Sequence, residues 1–138
     1  MRMSKAANIA AQERFGKAVN TNNLAEMRDL VAEDCVDHDP APGQVKGPHG
    51  YIALFQQMIA AFPDFAVDVE QLVADEDNVA FAYTITGTHR GEFFGVPPTG
   101  RKIRARGLQI SRFNSDSKMI ERWGSSDQLG ILQQLGAA

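Results

Sequence analysis

The chain carries three histidines, His38, His49 and His89, and each raises a proton-transfer question. His38 stands between Asp37 and Asp39, an arrangement that could orient an imidazole for proton transfer or simply knit a turn. His89 shares strand parity with Phe81 and Tyr83, which sets an imidazole on one wall with two aromatic rings; the alternative is a strand-end histidine bonded to the turn that follows. His49 falls in the first turn of a helix and reads as surface.

In Glu121-Arg122-Trp123-Gly124-Ser125-Ser126-Asp127, alternation puts Glu121, Trp123, Ser125 and Asp127 on one strand face. If that face looks into a cavity, Asp127 stands among aromatic rings, and desolvation raises its pKa into the range of a general acid or base. The competing role is a cap on the helix that begins at Gln128, and spacing alone favours the cap. Arg104, Arg106 and Arg112 share one side of another strand, either as an anion site or as a solvated face paired with Asp68 and Glu70. No glycine-rich phosphate loop, metal-spaced histidine pair or nucleophile elbow occurs, so no metal site is expected.

These side chains must be positioned by helices in the first half and strands in the second, a segregation that argues for an α+β domain. Ser4 caps a helix to about Val19, with Ala7, Ala11, Phe15 and Ala18 inward. A second helix is expected from Asn23, with Leu24, Met27, Leu30 and Val31 on one face, ending before Asp34. Gly47-Pro48 opens a third, through Phe55, Met58 and Phe62, and Pro63 ends it. The period then becomes two. Phe65, Val67, Val69, Gln71 and Val73 face one way; a strand from Val79 to His89 pairs with Lys102 to Phe113; a last strand runs from Met119 to about Ser126. A short helix closes the chain, with Leu129, Leu132 and Leu135 inward. A curved antiparallel sheet covered by helices encloses a pocket rather than a groove.

With 138 residues, 43% hydrophobic and 22% charged, the chain reads as one soluble domain over 1–138, able to bury roughly two-thirds of its unfolded surface. Against 17 acidic residues the 14 basic ones leave a net charge of -3, no field for a phosphate backbone, and nucleic acid is not an expected partner. Cys35 is the single cysteine, so no intramolecular disulfide forms, which fits a reducing compartment. The run from Ala6 to Ala11 contains Asn8 and is too short and polar for a signal segment, and no stretch approaches the roughly 20 apolar residues of a membrane span. A cytoplasmic protein with no membrane partner is expected.

Three segments, Gly91-Glu92-Phe93-Phe94-Gly95-Val96-Pro97-Pro98-Thr99-Gly100-Arg101, Ile120-Glu121-Arg122-Trp123 and Asp127-Gln128-Leu129-Gly130, resemble the SnoaL-like polyketide cyclases, or ester cyclases, of the nuclear-transport-factor-2-like superfamily. The resemblance covers nearly the whole chain, since His38-Asp39-Pro40 and the Gly47 to Phe62 helix also sit where the family has them. It implies an α+β cone and intramolecular aldol ring closure, a cyclase or isomerase working without metal or organic cofactor. It also implies that Asp127, matching the family's aspartate at the end of the last long strand, is the acid/base, removing a proton from a carbon beside a carbonyl and protonating the new alkoxide. His38 and His89 become secondary catalytic candidates that orient the carbonyl, and Trp123, Phe55, Met58, Phe81 and Tyr83 candidates for stacking on a hydrophobic, carbonyl-rich small molecule. The resemblance further implies a homodimer through the outer sheet face. A hydroxylase-type relative and a non-catalytic small-molecule binder are the alternatives, because the fold alone does not make an enzyme.

Overall fold

In the computed structural model, which describes residues 4–138, the Ser4 hydroxyl accepts the Ala7 amide at 3.2 Å and starts helix α1, Lys5–Asn20. The expected second helix is shorter than its apolar spacing suggests. A 3-10 turn, Leu24–Glu26, runs into the single turn of α2, Met27–Leu30, and Val31–Asp37 is strand β1. β1 lies parallel to a strand far along the chain, with Asp37 opposite Arg122, and that pairing overrides the local helical period.

Helix α3, Pro48–Ala61, begins on Gly47, whose φ of 76° suits glycine; a Cβ there would come within 2.5 Å of the Glu33 carbonyl oxygen of β1. Four strands follow: β2 Ala66–Ala74, β3 Asn78–Thr88, β4 Lys102–Phe113 and β5 Met119–Ser126. Helix α4, Gln128–Gln134, closes the chain with Ile131 and Leu135 buried and Leu129 exposed, so Ile131 takes the inward place expected of Leu129.

The sheet order is β1-β5-β4-β3-β2, and β1 makes the sheet mixed rather than wholly antiparallel. Between Val69 and Gln71 the β2–β3 register shifts, which flips the parity of β2 at Glu70. Val67, Val69 and Leu72 therefore line the interior, while Val73 points out, against the regular alternation expected from sequence. Helix α1 packs across β2 and β3, and α3 beside β1 and α2. Phe62, Met27, Leu30, Val79 and Met119 are sealed in the core between the layers. Among the described residues no helix is long and apolar enough to cross a membrane.

Candidate active site

Between α1, α3 and the concave face of the sheet lies a cavity of about 950 Å³. Its walls are aromatic because α1 and α3 turn Phe15, Tyr51 and Phe55 toward the rings of β3. Phe15 meets Tyr51 edge-on at 5.9 Å and Phe55 at 6.0 Å, and Phe81 and Tyr83 lie 5.7 Å apart. Such rings offer flat apolar surface to a planar guest. Met58, Ile85 and Phe94 also line the space, and Glu13 and Lys17 of α1 stand on its border.

A polar network crosses the inner face of the sheet. Arg122 donates through Nη1 to Asp37 Oδ1 at 3.0 Å and through Nε to Gln109 Oε1 at 2.8 Å, and Gln109 passes its own Nε2–H to Ser111 Oγ at 3.0 Å. The Asp37 carboxylate also accepts the Tyr51 hydroxyl at 3.0 Å, the Gln44 amide at 3.1 Å and the Asp39 N–H at 2.9 Å. Burial pushes the Asp37 carboxyl up, but Arg122 and these donors together hold it below the usual carboxylate range. The same burial, then the Asp37 charge, drives the Tyr51 phenol well above its ordinary value and pushes the Cys35 thiol up to about 11, so that cysteine is inert as a nucleophile.

A Cβ at Gly124 would collide with the Arg122 guanidinium, so the glycine lets that group lie flat over the strand. The Gly124 N–H donates to Asp39 Oδ2 at 2.8 Å and anchors a second, exposed carboxylate on the cavity lining. Burial raises the Tyr83 phenol, with Arg122 and Ser126 beside it offsetting part of the rise; Gly107 across the ladder leaves room for its ring. The result is a guanidinium, a phenol and a carboxylate facing an aromatic chamber, a set suited to carbonyl chemistry.

A model of the SnoaL-like polyketide cyclase family matches residues 9–135. The chain belongs to that family. It is 25% identical over 130 residues to the aklanonic acid methyl ester cyclase DauD of Streptomyces sp. strain C5, spanning 89% of this chain and 78% of DauD. Among solved structures it resembles IdmH, a candidate polyketide cyclase of Streptomyces antibioticus, at 34% identity and a TM-score of 0.82 over 94% of this chain and 98% of IdmH. It also resembles AclR, a candidate hydroxylase of Streptomyces galilaeus, at 30% identity and a TM-score of 0.85 over 98% and 99% of the two chains. At the level of the family the function is polyketide-cyclase-like, on small-molecule substrates.

Within this SnoaL-like cavity stand four of the five expected contact residues, Phe55, Met58, Phe81 and Tyr83. Along β5 the inward face carries Arg122 and Gly124 and Trp123 is turned outward, while at the end of the strand both Ser125 and Ser126 border the cavity. There Trp123 stacks on the His38 ring at 4.6 Å, and His38 Nε2 donates to Glu121 Oε2 at 2.9 Å; neither ring lines the cavity. Asp127 is exposed, accepts the Gly130 N–H at 2.9 Å as the cap of α4, and borders a shallow outer recess with Arg106 and Leu108. His89 lies in the core against Phe62, its Nδ1 accepting the Thr99 N–H at 3.1 Å, and so pins the 90–100 loop. His38, His89 and Asp127 are thus not among the lining residues, although Ser126 and Gln128 on either side of Asp127 are; parity predicts which residues share a strand face but not which face the helices cover. Of the arginines on β4, Arg106 pairs with Glu70 at 2.9 Å, the solvated face expected of them. Sequence reasoning gave no site role to Arg122 and Gln109 and named Asp39 only as a neighbour of His38; an arginine two residues before a glycine on β5 was the available signal.

Proposed function

We propose that this protein closes a ring in a carbonyl-rich aromatic polyketide by intramolecular aldol condensation, with Asp39 in the acid/base role first given to Asp127. The observation that carries the reading is Arg122, braced by Asp37 on an aromatic cavity floor, with the Asp39 carboxylate anchored one residue pair away on Gly124. Asp39 takes the proton from a carbon beside a carbonyl. Arg122 and the Tyr83 hydroxyl donate to the carbonyl oxygen as negative charge builds there. The enolate carbon then bonds to a second carbonyl carbon, and the proton returns to the resulting alkoxide. Asp37, held ionised by its donors, is a poor base and serves to orient Arg122.

The test is mass spectrometry of products after incubation with a panel of aromatic polyketide methyl esters. An isomer of unchanged mass, lost in Asp39→Asn and kept in Asp127→Asn, supports the reading; turnover lost in Asp127→Asn and kept in Asp39→Asn returns the role to Asp127. The likeness to AclR favours a second reading, hydroxylation in the same cavity, for which the product gains an oxygen atom. Ligand binding without any product would make the protein a carrier.

The outer sheet face supports a homodimer. Leu108 and Ile110 of β4 are 64% and 44% exposed, beside Trp123 of β5, an apolar patch of the kind that a second copy covers.

A further inference from the structure

Three amide side chains are buried along this interior, and two of them are fully engaged. Asn8 of α1 donates to the Glu76 carbonyl at 3.0 Å and accepts the Ser117 hydroxyl at 2.9 Å. Gln109 bridges Arg122 and Ser111. Gln12, one turn after Asn8, is 6% exposed, lines the cavity, and its Oε1 has no hydrogen-bond partner among the described residues. Around it on the inward stripe of α1 stand Ala11, Phe15 and Val19. A leucine would satisfy that stripe, and a buried acceptor without a donor is costly, so the amide needs a partner that the fold does not supply.

We infer that Gln12 is a specificity-determining residue that receives a ring hydroxyl of the substrate on the α1 wall of the cavity. This rests on the aromatic polyketide reading above. Gln12 stands on the α1 wall of the cavity and Arg122 on its β5 floor, so a guest meets polar groups on two different walls. The intervening surface is aromatic, with Phe81 paired across the ladder to Gln109. A guest that meets both groups is a flat aromatic with a carbonyl toward Arg122 and a hydroxyl toward Gln12. Gln12 Oε1 is itself sealed from the cavity, so binding requires the carboxamide to rotate about its soft terminal torsion and bring the oxygen to the guest.

Alizarin and its dimethyl ether are the probes, titrated by absorbance into wild type and Gln12→Leu, with thermal melting of both proteins free of ligand. Wild type is expected to bind the phenol about tenfold more tightly than the ether, and Gln12→Leu to lose that preference, a change of one hydrogen bond. The free variant is expected to melt roughly 4 °C higher, because an unpaired buried amide has been removed. A folded variant that keeps the tenfold preference overturns the inference, as does a melting point that falls, which would mean that the amide has a structural partner. If Gln12→Leu does not fold, Gln12→Met carries the same comparison. Binding of neither probe by wild type refutes the aromatic reading together with this one; equal binding of both refutes the role of Gln12 alone.

Discussion

Asp37 Oδ1 lies 3.0 Å from Arg122 Nη1, joining the parallel strands β1 and β5 at residues 85 apart in sequence. The aspartate side chain is 6% exposed and the arginine 17%, so both charges are largely withdrawn from solvent and depend on each other.

Removing one partner of such a pair leaves the other uncompensated. Asp37→Asn is expected to lower stability at neutral pH by about 3 kcal/mol, read by urea denaturation. The folded-state pKa of Asp37 is depressed, so its contribution is present above the unfolded value near ~3.9 and is lost as pH falls through the folded value. The gap between wild type and Asp37→Asn should therefore narrow below about pH 4. A gap that stays constant down to the acid limit would show that the pair does not titrate with unfolding.

On the proposed mechanism, Asp39 carries chemistry and Asp127 only the cap of α4. Asp39→Asn retains an acceptor for the Gly124 N–H, so the melting temperature should change little while turnover of a cyclised ester falls on the order of a hundredfold. Asp127→Ala loses the cap on α4, about 1 kcal/mol of stability, with turnover unchanged. Steady-state kinetics and melts on the two variants check both halves.

Phe94 lines the cavity with a φ of 46°, a conformation that a bulky residue holds only under constraint. The Phe93–Val96 bridge and the amides of Arg90 and Gly91 on the Ala61 carbonyl hold its loop in place. Phe94→Gly should relieve the backbone and remove an aromatic wall. The expected outcome is a melting temperature equal to or above wild type and an alizarin affinity weakened about fivefold.

Leu108 and Ile110 test the assembly. Leu108→Glu is expected to shift light-scattering mass from twice to once the 15.1 kDa of one chain, without changing the circular dichroism spectrum. A wild-type mass of one chain would remove the dimer outright.

The strands β3, β4 and β5 and the helices α1 and α3 were legible because their period and end signals are local: Ser4 before α1, Gly47-Pro48 before α3, and alternation from Lys102 to Phe113. So were the cavity residues Phe55, Met58, Phe81 and Tyr83, which sit on strongly apolar faces. Strand β1 was hidden because four-residue spacing between Met27 and Val31 imitates a helix, and its partner is supplied by β5. The bulge at Glu70 was hidden because nothing in a run of alternating residues marks a parity flip.

From the sequence alone came the α+β class and the two sets of residues that share each strand face, which follow from side-chain period and local end signals, and the family, which the motif segments Gly91 to Arg101 and Ile120 to Gly130 carry by resemblance. Tertiary structure decided which set faces the chamber: helix coverage turned Arg122 and Gly124 inward and left Trp123, His38 and Asp127 outside. A strand is symmetric about its own plane in everything except what packs on it, and that is settled by contacts between residues far apart in the chain.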